Sequence, residues 1–345
     1  DFIVPEARKK EMVNNFLVPG LQDLCVSRSS FKWGIPVDFD PEHVVYVWLD
    51  ALTNYITALG FDGESGGEQY HKYWPADVHV IGKDIIRFHT LYWPIFLMAL
   101  GEPLPKQIFG HPWLLFGSDK MSKSKGNVIY ADDLIRRFGL DGVRYYLLSE
   151  MPYQNDGTIT YENFIARYNT DLANTLGNLV SRTVAMTKKY FDGVIPSPAG
   201  DEGPDAELKA AAADAYANFT ANMDTFRAAD ALDAVFTLLR RANKYIDETA
   251  PWALAKDEAQ RARLGTVLYN LLESLRIAAI LLRPAIPDSA EKILAAIGSP
   301  DDRFESAAAF GITRPGNTVG EQSVLFARLD EMKTLAELNA EKAEA

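Results

Sequence analysis

The residues best equipped for chemistry lie in three places. The first is the run Lys120-Met121-Ser122-Lys123-Ser124-Lys125-Gly126, with three lysines and two serines in seven residues. Lysine is a compact point charge suited to phosphate oxygens, and small Ser and Gly neighbours let backbone approach a polyphosphate. The second place holds Trp48, Tyr55, Ile85 and His89. Two aromatic rings, an aliphatic wall and a histidine suit an unbranched thioether, because sulfur packs well at ring edges. Nearby, Gly82 permits close backbone approach and Asp84 can accept hydrogen bonds from ribose hydroxyls; a helix-capping role for Asp84 is equally open. The third place is a polar row, Asn174, Asn178 and Arg182. Ordinary core and ordinary solvated helix faces use these residue types too.

The surrounding elements must position these groups. "HVVYVWLD" reads as a strand that ends near Trp48 and leads into a helix carrying Tyr55, and "DVHVIG" repeats the move into "KDIIRFHTLYWPIFLMALG". Two strand-then-helix units predict a parallel, doubly wound α/β sheet, with ligands beyond the carboxyl ends of its strands. "KQIFGHPWLLF" adds a strand signal just before the lysine run. From Tyr161 the period changes: Phe164, Tyr168, Leu172, Leu176, Val180 and Val184 recur every fourth residue as one helical stripe. Asn178 and Arg182 lie two residues from stripe positions, about 200° around the helix, and so face away from the core. Further helices are expected over about 206–226, 228–248 and 257–283 by the same periodicity. Short connections between them predict an antiparallel bundle.

Composition narrows the classes. A 345-residue chain, 48% hydrophobic and 24% charged, is expected to form two globular domains. One cysteine, Cys25, excludes an internal disulfide framework, and a reducing cytoplasm fits. The apolar runs are interrupted by Arg276 and Arg283, so no membrane partner is expected, and "DFIVPEARKK" is not a signal peptide. A formal net charge of −12 argues against a surface that grips nucleic acid everywhere. Arg136, Arg137, Arg144, Arg182, Lys188 and Lys189 are candidates for a local basic stripe.

Lys120 to Ser124 resembles, letter for letter, the KMSKS signature of class I aminoacyl-tRNA synthetases. "VYVWLDALTNY", "HVIGKDIIRFHTLYWP", "NTLGNLVSR" and "APWALAK" are similar, in order, to segments of the methionyl-tRNA synthetase family. The resemblance implies the second half of a Rossmann-type catalytic domain over 1–118, with the end of an inserted domain in 1–20. It further implies a KMSKS and stem-contact region over 119–158 and a helical anticodon-binding domain over 159–345. It assigns Trp48, Ala51, Leu52, Tyr55, Ile85 and His89 to the methionine side chain. It assigns Gly82, Asp84, His111 and Leu114, with Lys120, Met121, Ser122, Lys123 and Ser124, to ATP, where Lys120 and Lys123 would act catalytically with Mg2+ on the triphosphate. Asn178, Arg182 and Trp252 would read the anticodon of tRNA(Met), and no protein-bound metal is implied. The family's second signature, His-Ile-Gly-His, is absent from the sequence. The 345 residues are therefore expected to need a missing N-terminal half and to be inactive alone. The competing expectations are a non-catalytic tRNA-binding module and a synthetase for another apolar amino acid.

Overall fold

The computed structural model describes residues 1–117, 119–120, 129–299, 301–321 and 323–344. It divides into two units, one of residues 1–113 with 153–155 and one of residues 114–152 with 156–345.

The first unit is built on a three-stranded parallel sheet in the order Ile3–Val4, Ile108–His111, His79–Gly82. Ile3, Ile81 and Ile108 fill its underside together with Met12 and Ile86. The strand expected ahead of the first helix does not join this sheet. Asp40–Val45 instead pairs antiparallel with Ser27–Arg28 on one side and Pro36–Val37 on the other. The reason lies in its residues. Pro41 and Glu42 are exposed and only Val44 is buried, whereas a parallel strand covered on both faces needs a continuous apolar run. The following helix begins at Val47 and runs to Thr57. Trp48 thus sits in its first turn rather than at a strand end, and Trp48, Ala51, Leu52 and Tyr55 share one face at helical spacing.

A second helical stretch follows the strand His79–Gly82. It passes through a 3-10 turn at Lys83–Ile85 and a π-helical turn at Phe88–Tyr92 into the helix Trp93–Leu100. Gly101 ends it in the left-handed conformation, φ 77°, which glycine adopts without Cβ strain. Leu52, Ile56, Phe61, Tyr70, Trp74, Trp93 and Leu97 make the core between the two helical stretches.

The second unit opens with a small sheet in the order Asp119–Lys120, Leu114–Phe116, Gly157–Ile159. The rest is helical. Thr160 caps the helix Tyr161–Arg167 by accepting from the Asn163 amide at 3.1 Å. The chain then winds as a π-helix over Tyr168–Gly177 and returns to α over Asn178–Phe191. This explains the every-fourth-residue stripe. In an α-helix each four-residue step drifts about 40°, which over Phe164 to Val184 would carry the stripe out of the core. The wider π turn takes up the drift, and all six stripe residues are buried. The antiparallel helices Gly203–Met223, Ala228–Thr249 and Arg261–Leu282 complete the bundle, with Pro287–Ala296 against its end.

Arg261–Leu282 is the bundle's central helix, buried without interruption from Leu264 to Leu282. It is long and apolar enough to cross a membrane by length and composition, but its most apolar stretch lies wholly inside the protein. Two ionisable residues sit in it with no solvent exposure, Glu273 and Arg276, paired at 2.7 Å and 3.0 Å. Further hydrogen bonds surround the pair. Glu273 also accepts from the amides of Gly311, Ile312 and Thr313, and Arg276 donates to Ser306 and to the Ala309 carbonyl. Burial alone would push the Glu273 carboxyl up. The Arg276 guanidinium and the amides outweigh it and hold the group below the usual carboxylate range.

Removing one member of a buried pair leaves the other uncompensated, at about 3–5 kcal/mol. Glu273→Gln is therefore predicted to lower the stability of the second unit by that order, read as the urea midpoint of its helical signal. A midpoint within experimental error of the parent would refute this account of the pair.

Candidate active site and nucleic-acid interface

Trp48, Tyr55, Ile85 and His89 come together in the first unit. The Tyr55 hydroxyl lies 2.9 Å from His89 Nε2, and His89 Nδ1 lies 3.0 Å from the Ile85 carbonyl oxygen. A carbonyl only accepts, so Nδ1 carries the proton. Burial lowers the His89 pKa, the Ile85 bond opposing it only in part, and raises that of Tyr55. The histidine is thus neutral, Nε2 is an acceptor, and the phenol donates to it. The Ile85 carbonyl lies one helical turn before His89, within reach of its ring.

The Trp48 indole lies edge-on to the His89 ring at 6.4 Å and stacks on Phe88 at 3.9 Å and 12°. Tyr55 is 37% exposed and His89 2%. The pair therefore offers one accessible edge over a buried base. Ala51 is exposed and Ile85 half-buried, both on the open side, whereas Leu52 is 1% exposed and belongs to the core.

Three further residues meet at the carboxyl end of the parallel sheet. Gly82 and His111 are register partners on adjacent strands. A Cβ at Gly82 would fall 2.5 Å from Asp84 Oδ1 and 3.8 Å from the His111 ring, so any larger residue would displace the Asp84 carboxylate. The N-cap of the helical turn that follows is Gly82, and Asp84 lies within that turn. Its carboxylate is exposed and accepts from Trp113 Nε1 at 3.2 Å. His111 Nδ1 donates to the Pro112 carbonyl at 2.8 Å, which leaves Nε2 as the ring nitrogen for another partner.

In the second unit, half-buried Leu114 begins the strand Leu114–Phe116, and Lys120 pairs opposite Leu115. Met121, Ser122, Lys123 and Ser124 lie outside the described residues.

The polar row also sits as its spacing predicts. Asn174, Asn178 and Arg182 are exposed, and Trp252 is 46% exposed. Arg182 lies 3.7 Å from Asp247, on the helix that leads through Ala250 into the turn Pro251–Leu254. Asn243 of that helix donates to the Thr175 carbonyl at 3.0 Å and holds the two helices side by side. The supposed basic stripe fares differently. Arg144 spends its guanidinium on the carbonyls of Pro284 and Ala285, Arg137 is paired with Glu337 and Arg136 with Asp133. All three make bonds within their own unit, Arg136 in an exposed pair.

Sequence reasoning passed over Phe88, Asp247 and His79. His79 opens the strand His79–Gly82, is 6% exposed, and packs its ring 4.4 Å from Tyr55 and 6.0 Å from His89. Its signal was a histidine opening an otherwise apolar strand.

A parallel sheet with a glycine-acid corner at its carboxyl end, ahead of a helical bundle, is the arrangement of a class I aminoacyl-tRNA synthetase. The sequence profile of "tRNA synthetases class I (M)" matches residues 3–184, and that of "Anticodon binding domain of methionyl tRNA ligase" matches residues 197–340. The chain is 57% identical over its whole length to a methionine–tRNA ligase of Clostridium acetobutylicum and 56% identical to one of Clostridium perfringens. It is also similar to the Mycobacterium tuberculosis methionyl-tRNA synthetase solved with methionyl-adenylate, at 45% identity and TM-score 0.88, over 95% of this chain and 64% of that one. The chain belongs to the methionyl-tRNA synthetase family. It spans about half the length of the curated relatives it matches, 53% of each of these two.

The neutral histidines carry a pH dependence. Burial lowers His89, and burial with the neighbouring His89 pushes His79 down to about 4. On acidification the unfolded chain takes up these protons first, near pH 6.5, so the stabilisation is complete above that value and is lost as pH falls toward 4. The unfolding midpoint of the first unit is predicted to fall over pH 6.5 to 4. Five of the six tryptophans lie before residue 115, so tryptophan fluorescence reports it, and a flat midpoint across that range would contradict neutral burial.

Proposed function

We propose that the chain is the part of a methionine–tRNA ligase that holds the methionine side chain, the adenosine and the anticodon. The observation that carries the reading is the Tyr55–His89 hydrogen bond, set beside Trp48 and in the same unit as the Gly82, Asp84 and His111 corner. The Tyr55–His89 edge and the Trp48 face, with Ala51 and Ile85 at their margins and the core residue Leu52 behind them, accept an unbranched thioether. Gly82, Asp84 and His111 accept the adenosine, and the family resemblance assigns Leu114 of the second unit to the same nucleotide. Lys120 and Lys123, within the Lys120–Ser124 signature that also contributes Met121 and Ser122, balance charge that develops on the triphosphate.

The methionine carboxylate attacks the α-phosphorus of ATP, the bond to the β-phosphate breaks and pyrophosphate leaves. A hydroxyl of the terminal tRNA ribose then attacks the methionyl carbonyl and AMP leaves. No side chain needs to become a nucleophile, so positioning and charge stabilisation supply the catalysis. Mg2+ enters with the triphosphate as part of the substrate; among the described residues no three His, Cys, Asp or Glu side chains gather to hold a metal. Asn178, Arg182 and Trp252 meet anticodon bases of tRNA(Met), two by hydrogen bonds and one by stacking.

Because the chain matches only 53% of its relatives' length and lacks the His-Ile-Gly-His signature, the 345 residues alone are predicted to give no methionine-dependent ATP–pyrophosphate exchange. Adding a polypeptide that supplies the remaining half is expected to restore it. Exchange by the lone chain would refute the need for a second half, and tRNA binding with no exchange in either case would leave a binding module. Exchange restored by another apolar amino acid in preference to methionine would overturn the substrate.

A second prediction separates the two ends of the molecule. In the complete enzyme, Trp252→Ala is expected to lower charging of tRNA(Met) by roughly 10- to 100-fold, the loss of one stacked base at about 1–3 kcal/mol. Exchange should stay within twofold of the parent, and an equal loss of both activities would remove Trp252 from anticodon reading.

A further inference from the structure

Behind Tyr55 lies a group of side chains whose polar atoms do not close on one another. His79 is 6% exposed and its Nε2 has no protein partner among the described residues. Trp93 is fully buried, and its Nε1, a donor only, likewise has none. Both rings surround the same phenol, His79 at 4.4 Å and Trp93 at 6.1 Å from the Tyr55 ring, and both pack on Trp74, at 6.0 Å and 5.8 Å.

Two buried, unpartnered polar atoms in one aromatic cluster are costly, about 1–3 kcal/mol each. A phenylalanine at either position would pack as well without that cost. Orphans of this kind normally share an ordered guest. The indole N–H can only donate and neutral His79 Nε2 can accept or donate, so a water placed between them would bond to both.

We infer that His79 is a positioning residue of the methionine pocket: through a water shared with Trp93 it fixes its ring against Tyr55 and so sets the Tyr55 hydroxyl on His89. The inference rests on the pocket proposed above. It adds a polar floor, and a reason for a histidine at a position that packing alone would leave apolar. His79 makes no contact with the reacting atoms; it acts through Tyr55.

The test is ATP–pyrophosphate exchange by the complete enzyme, with the Michaelis constants for methionine and ATP measured separately. His79→Phe keeps a flat ring and removes the nitrogen. It is expected to raise KM for methionine about tenfold, the worth of one misplaced hydrogen bond, with KM for ATP within twofold of the parent. His79→Gln, whose amide reaches the place of Nε2, should recover most of that loss. Trp93→Phe should raise KM for methionine too, and the double variant should be no worse than the poorer single one because both lose the same water. An unchanged KM for methionine in His79→Phe, no recovery in His79→Gln, additive effects in the double variant, or equal rises for methionine and ATP would each overturn the inference. Failure of the parent enzyme to show saturable dependence on methionine would instead overturn the pocket itself.

Discussion

The second unit depends on one electrostatic constraint, the requirement that a helix buried on every side carry no uncompensated charge. Arg261–Leu282 meets it with Glu273 and Arg276, one turn apart and wholly buried. Such a pair is not itself a strong source of stability, because desolvation offsets much of the attraction. What it does is dictate position. The carboxylate takes the amides of residues 311–313 and the guanidinium takes Ser306 and Ala309, so an irregular segment with few regular hydrogen bonds is held against the helix. With its centre thus fixed, the bundle can turn the outer face of Asn178–Phe191 to solvent, where Asn178 and Arg182 stand.

The first unit obeys a different constraint, neutrality. His89 accepts from Tyr55 only while uncharged, and the Ile85 carbonyl decides which of its nitrogens holds the proton. A polar edge that is neutral and half-covered discriminates by shape and weak polarity rather than by charge, which suits an uncharged side chain such as a thioether. The structural means is the four-residue spacing from Ile85 to His89, which puts the carbonyl and the ring on one helix face.

Much of this was legible in the sequence, and the failures have physical causes. The helical half was read correctly because its apolar stripe is long, and long periodic segments average over local preference. The every-fourth spacing already contained the π-helix. Four-residue steps that keep one face over Phe164 to Val184 do not fit a turn of 3.6 residues, and that arithmetic was available before any coordinates. The strand before Trp48 was assigned to the wrong sheet because β-branched residues report a pleated surface and not its neighbours. The exposed Pro41 and Glu42 were the contrary sign. The grouping of Trp48, Tyr55, Ile85 and His89 was legible by type and spacing, but His79 beside them was not, because a single histidine in an apolar strand is ordinary until its ring nitrogen is found buried and unpaired.

The distribution of charge joins the two units in one argument. A net charge of −12 is unfavourable for a partner made of phosphates, and several cations that could offset it are consumed internally, as with Arg144 on two carbonyls, Arg137 on Glu337 and Arg263 on Asp205. Arg182 is different. Its partner Asp247 is exposed and 3.7 Å away, a loose pair worth little in water. The guanidinium can therefore be drawn to a base edge at small cost while Asp247 remains beside it to reject an additional phosphate. In the proposed reading, specificity at this end comes from a few side chains that face bases, and it does not require the broad cationic surface that the composition lacks.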